Sequence, residues 1–123
     1  MGTRRGAANQ ELGRRGEDLA VCYLERQGMV VLSRNWRCRL GELDVVATDG
    51  ETLVVCEVKS RSGTGFGRPE EAVTQVKLRR MRALAQQWLS VYRVGWCAIR
   101  CDVVAVLFQP DGRTFIDHRR GVV

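Results

Sequence analysis

Apolar positions recur at helical spacing in two stretches of the chain, and in between they alternate or run together as they do in strands. Leu12, Gly16, Leu19, Ala20, Tyr23 and Leu24 follow a 3.6-residue period. They predict a helix capped by Asn9, running to about Gln27 and stopped by Gly28. Val73, Val76, Met81, Leu84, Ala85, Trp88 and Leu89 mark a second helix. Pro69 at a first helical position, with Glu70 and Glu71 behind it, predicts its start, and it ends near Tyr92. Met29 to Leu32 reads as a short strand, followed by a polar, arginine-rich link from Ser33 to Gly41. Glu42–Thr48 and Glu51–Ser60 are β-branched runs on either side of Asp49-Gly50, a strong hairpin signal. Gly95–Phe108 predicts one or two further strands. A turn at Pro110-Asp111-Gly112 leads into Thr114–Asp117. The expected order is α-β-β-β-α-β-β, a mixed α/β domain.

Length then limits the picture. The 123 residues, 45% hydrophobic and 28% charged, suit one globular domain over residues 9–123 behind a flexible basic tail at 1–8. The longest wholly apolar run, Val103 to Phe108, is too short to span a bilayer. No apolar stretch follows the N-terminal arginines, so neither a secretory signal nor a membrane partner is expected, and a cytoplasmic location is. Five cysteines (Cys22, Cys38, Cys56, Cys97 and Cys101) without a C-x-x-C pair predict buried free thiols rather than a disulfide or zinc framework. His118, the single histidine, lies far in sequence from any acidic cluster and gives little support to a Ser-His-Asp or Cys-His catalyst.

The net charge is +6, and of 20 basic residues only Lys59 and Lys77 are lysines. An arginine-rich basic domain is compatible with a nucleic-acid partner, and equally with surface lysines replaced by arginine through base composition.

Chemistry concentrates on the hairpin. A two-residue Asp49-Gly50 loop would pair Glu42 with Glu57, Asp44 with Val55 and Val46 with Leu53. Glu42, Asp44, Glu57 and Lys59 then project from one face near one end, and Leu43, Val45, Ala47, Val54, Cys56 and Val58 form the core face. Crowded carboxylates that Lys59 alone cannot neutralise suit Mg²⁺ or Mn²⁺. The competing reading is a solvated ion-pair ladder around Lys59.

An acid, a short hairpin and Glu57-Val58-Lys59 on an apolar strand resemble the PD-(D/E)xK nuclease superfamily, with Asp44 as the first acid. A longer string is similar to the YraN-like bacterial family. It comprises Gly16-Glu17-Asp18-Leu19-Ala20, Asn35-Trp36-Arg37, Gly41-Glu42-Leu43-Asp44, Glu57-Val58-Lys59-Ser60-Arg61, Lys77 and Arg100-Cys101-Asp102-Val103-Val104. Leu43 stands where the superfamily often has proline. The resemblance implies a restriction-endonuclease-like core, a mixed central sheet flanked by helices, similar in fold to archaeal Holliday-junction resolvases. It implies that Asp44 and Glu57, with the Val58 carbonyl, hold Mg²⁺ and that Lys59 orients or deprotonates the attacking water. Glu17 would join the site from the first helix, and Glu42 would be an outer ligand or a flanking charge.

The expected phosphate contacts are Arg14, Arg15, Arg34, Arg37, Arg39, Arg61, Lys77 and the helix-face set Gln75, Arg79 and Arg82. Trp36 is either a base-stacking residue or a buried one. The Gly63–Gly67 loop reads as a flap or a plain connection. The expected function is Mg²⁺-dependent endonuclease action on DNA without strong sequence specificity, with a homodimer compatible. The alternatives are a non-catalytic DNA- or RNA-binding module that keeps the fold, and an interaction protein.

Overall fold

The computed structural model describes residues 3–63 and 73–122. Helix α1 (Thr3–Arg26) is followed by strands β1 (Val30–Cys38), β2 (Gly41–Thr48) and β3 (Thr52–Ser62). Helix α2 (Gln75–Val91) leads to β4 (Ala98–Phe108) and β5 (Thr114–Arg119). The five strands form one sheet in the order β1-β2-β3-β4-β5. β3 and β4 are parallel and every other neighbouring pair is antiparallel. Parallel neighbours need a long crossover, and α2 lies within it. The expected mixed α/β order is therefore the observed one.

A helix covers each face of the sheet. Ala20, Val21 and Leu24 of α1 pack on Val45, Ala47, Val54, Cys56, Val104 and Val106. Leu78, Met81, Leu84, Ala85, Trp88 and Leu89 of α2 pack on Leu43, Val46, Leu53, Val55 and Cys101. Burial on both faces explains why β3 and β4 read as near-continuous apolar runs.

The structure corrects several sequence expectations. β1 continues to Cys38, so most of the arginine-rich link is an edge strand. Its outer edge meets solvent, and the polar side chains there hid the strand. α1 begins at Thr3, ahead of Asn9. Its end is as expected: Gly28 has φ +92°, and the Gly28 and Met29 amides donate to the Glu25 and Leu24 carbonyls. Leu19 and Val76 are exposed rather than core. α2 is capped by the Thr74 hydroxyl, which accepts from the Lys77 amide. Its expected start at Pro69, and the glycine loop beyond Gly63, lie outside the described residues. Of the five cysteines, all free, only Cys56 and Cys101 are buried.

The hairpin register is shifted by two residues. Thr48 pairs with Leu53, Val46 with Val55 and Val45 with Cys56. Polar side chains widen the turn. The Asp49 carboxylate accepts from the Glu51 and Thr52 amides, and the Thr48 hydroxyl accepts from the Gly50 amide and donates to the Thr52 carbonyl. A two-residue shift leaves the face parity unchanged. Leu43 nevertheless packs on the α2 side, away from Val45 and Ala47.

His118 belongs to a structural network. Asp102, fully buried, accepts from His118 Nε2 at 2.7 Å, from Arg100 at 2.9 and 3.0 Å and from the Gly121 amide at 2.9 Å. The Tyr23 hydroxyl lies 3.1 Å from His118 Nδ1. Burial alone would push the Asp102 carboxyl up, but these partners outweigh it and hold it below its usual value. The network joins α1, β4, β5 and the segment after β5.

Candidate metal and phosphate site

The β2–β3 ladder ends at Val45–Cys56, one residue short of Asp44. The Asp44 side chain takes over there as acceptor, receiving the Val58 amide at 2.9 Å. This pins a carboxylate at the open end of the hairpin. Burial, with Glu57 beside it and Glu42 and Glu17 farther off, pushes the Asp44 carboxyl up to about 6. The Val58 amide pulls the other way without cancelling the effect.

α1 closes the other side. Gly16 permits the approach, because a Cβ there would sit 1.8 Å from Ser60 Oγ and 2.9 Å from Ser60 Cβ. The close crossing brings Glu17 to the strand ends, where Arg34 Nε (3.0 Å) and Asn35 Nδ2 (2.9 Å) donate to its Oε1. Asn35 has φ +50°, a left-handed conformation that Asn tolerates. Arg34 also binds Asp18 at 2.6 Å.

Between these elements lies an open cleft of about 470 Å³, lined by Leu12, Gly13, Glu17, Asp44, Val58, Lys59, Ser60 and Arg61. Asp44, Lys59, Glu17 and Arg61, all chosen from sequence, meet here. Glu57 is at the same end, its Oε1 contacted by Lys59 Nζ at 3.2 Å and by Lys77 Nζ at 2.6 Å. Partial burial disfavours the Lys77 ammonium, but its bond to Glu57 outweighs this and raises its pKa.

Other predicted residues lie elsewhere. Glu42 is held by Arg37 at 3.0 Å, and neither lines the cleft. Gln75, Arg79 and Arg82 are exposed on α2, also outside the cleft lining. Arg14 pairs with Glu11, and the Arg15 guanidinium lies 5.0 Å from the centre of the Phe108 ring. Trp36 is half-buried and packs against the α2-side core.

Sequence reasoning missed the clamp of Arg34 and Asn35 on Glu17, and the role of Lys77 at Glu57. Asn35 before Trp36 belonged to the quoted string, but only the fold shows its left-handed backbone meeting α1.

The donors fit a hard divalent cation in kind: carboxylate oxygens, partly buried, with unrelieved negative charge at Asp44. As they stand, no three His, Cys, Asp or Glu side chains among the described residues converge closely enough to hold one. No helix among them is long and apolar enough to cross a membrane.

Comparison with known proteins gives the chain a family. Residues 16–106 match the model of the uncharacterised protein family UPF0102. A UPF0102 protein of Acidothermus cellulolyticus is 49% identical over 94% of this chain and 95% of its own. One from Nocardioides sp. is 48% identical over 94% of each chain, and one from Nocardia farcinica is 50% identical over 92% of this chain and 89% of its own. The matched span runs from Gly16, at the α1–β3 crossing, through Asp44, Glu57, Lys59, Lys77 and Asp102, and on this match the chain belongs to the UPF0102 family.

Proposed function

We propose that this protein is a metal-dependent nuclease of the PD-(D/E)xK, restriction-endonuclease-like type, acting on DNA by structure rather than sequence. The observation that carries the reading is the convergence of Asp44, Lys59 and Glu17 on one cleft beside Glu57, with the Asp44 carboxyl raised to about 6 by burial and neighbouring negative charge. Carboxylate oxygens match Mg²⁺ or Mn²⁺ in kind, and Asp44 and Glu57 would hold it. A cation there would supply Lewis-acid stabilisation of the phosphoryl oxygens and a more acidic bound water.

The remaining chemistry belongs to the chain. Lys59 lines the cleft and places a compact ammonium where charge develops during phosphodiester hydrolysis. It can orient or deprotonate a water, whereas an arginine could not give up a proton near neutral pH. Glu17, fixed by Arg34 and Asn35, offers an oriented carboxylate acceptor to that water or to an outer ligand shell. Arg61 at the cleft, with Arg79 and Arg82 on α2, contributes positive charge that draws in a polyanion.

The test is cleavage of a panel of branched, nicked and single-stranded DNA in Mg²⁺ and in Mn²⁺. Wild type is expected to cut at least one substrate, and Asp44→Ala, Glu57→Ala and Lys59→Ala are expected to cut none. Equal cutting by wild type and all three variants would sink the assignment. A second reading, a DNA- or RNA-binding module without hydrolysis, draws on the two ammonium groups already seated on Glu57. It predicts salt-sensitive binding with no cleavage by any form.

A further inference from the structure

The chain's only two lysines, set among eighteen arginines, meet at a single oxygen, Glu57 Oε1. Lys59 reaches it from two residues along β3, and Lys77 from the first turn of α2. Lys77 sits in an adverse place for a cation. Its amide donates to the Thr74 cap at 3.1 Å, which makes it the third residue of the helix. That position favours an acid, both for a reciprocal cap and for the helix dipole. Helix requirements therefore do not explain a lysine here; the contact with Glu57 does.

We propose that Lys77 is a displaceable counter-ion: it occupies Glu57 until a divalent cation arrives, then leaves that oxygen for the phosphate of the incoming strand. This rests on the nuclease reading and names the residue that couples metal loading to substrate capture. Two ammonium groups and a divalent cation cannot share one carboxylate oxygen without strong repulsion. Lys59 is tied to the cleft by its place on β3, so the group brought in from α2 is the one that yields. Residue type fits this role. A lysine ammonium makes a single-point contact on a flexible stem and can swing away. An arginine would grip the carboxylate through two parallel bonds and compete with the metal. In an otherwise arginine-dominated chain, lysine is the residue that permits exchange.

Glu57 is held by ammonium groups, so the described carboxylates do not form a ready three-donor cage. Binding of the cation would assemble the site as Lys77 departs.

The experiment is Mn²⁺ titration of the full chain without DNA, read by loss of the free-Mn²⁺ EPR signal, with circular dichroism to confirm folding. Lys77→Met is expected to bind Mn²⁺ roughly tenfold more tightly than wild type, on the scale of ordinary coupling between sites. Lys77→Arg is expected to bind more weakly than wild type, and Glu57→Gln to lose the site. At saturating Mn²⁺, Lys77→Met is expected to bind a DNA duplex less well than Lys77→Arg. Unchanged or weaker Mn²⁺ binding by Lys77→Met overturns the counter-ion role while leaving the metal site standing. Identical Mn²⁺ uptake by wild type, Asp44→Asn and Glu57→Gln overturns the metal reading itself, and this inference with it.

Discussion

At the scale of single residues, Asp44 carries a stored electrostatic cost. Its carboxyl titrates near 6 in the folded chain, against an ordinary value of 3.8. Between those values the folded state binds more protons than the unfolded one, so stability falls as pH rises. The cost is complete above the folded value and absent below the ordinary one. Two pKa units correspond to at most about 3 kcal/mol. The metal-free protein should therefore lose thermal stability between about pH 4 and pH 7, apart from other groups. Asp44→Asn, which keeps an oxygen for the Val58 amide, should raise Tm at pH 7 and flatten that part of the profile. Differential scanning calorimetry across the range checks this; a lower Tm for the variant at pH 7 would contradict it. Saturating Mg²⁺ should stabilise wild type and leave Asp44→Asn unmoved. Asp102 shows the opposite outcome for a buried acid, because His118, Arg100 and the Gly121 amide satisfy it. Asp102→Ala should cost about 3–5 kcal/mol in denaturant unfolding, since it strips a partner from a buried ion pair.

Among the elements, the α1–β3 crossing sets the cleft. Gly16→Ala would place a methyl group against both the hydroxyl and the Cβ of Ser60, so the helix must move off the strand. Stability should fall by about 1–3 kcal/mol, as for overpacking elsewhere. Glu17 should move out with the helix, lowering metal affinity even at temperatures where the variant is fully folded. Calorimetry and Mn²⁺ titration together read both effects. Much of this level was legible in the chain. The α2 stripe, the apolar β3 and β4 runs, the Gly28 stop and the hairpin all followed from periodicity and turn chemistry. Two features did not. The Ser33–Cys38 part of β1 hid because an edge strand can carry Arg34, Asn35 and Arg37 without burying them. The hairpin register hid because Thr48 and Asp49 side chains, rather than backbone alone, set the loop length. A shift of two keeps parity only over the paired stretch; beyond Val45–Cys56 the alternation breaks, Leu43 turns to the α2 side, and Asp44 lines the cleft under α1. Lys77 was legible as a basic residue only; twenty positions separate it from Glu57, and the fold alone joins them.

For the whole molecule, the layered arrangement puts the chemistry at one end of the sheet, in a chain whose net charge is +6. Several arginines are already engaged by acids, among them Arg34 with Glu17 and Asp18, Arg37 with Glu42, and Arg100 with Asp102. Nucleic-acid affinity should therefore be carried by the less committed cations. Arg79→Ala with Arg82→Ala should weaken duplex binding at low salt and reduce the slope of log affinity against log salt by about 1–2. Arg37→Ala should change it little. Fluorescence anisotropy over a salt series distinguishes these outcomes, and an equal loss in both variants would place the phosphate surface nearer the β1–β2 turn.

The Val58 amide donates to the oxygen of Asp44, beyond the last β2–β3 pair. Any ion or proton that draws electron density from that oxygen must weaken this single bond. In a two-dimensional ¹⁵N–¹H NMR spectrum the Val58 cross-peak should accordingly shift upfield as the cleft fills, giving a built-in gauge of occupancy that needs neither a label nor turnover.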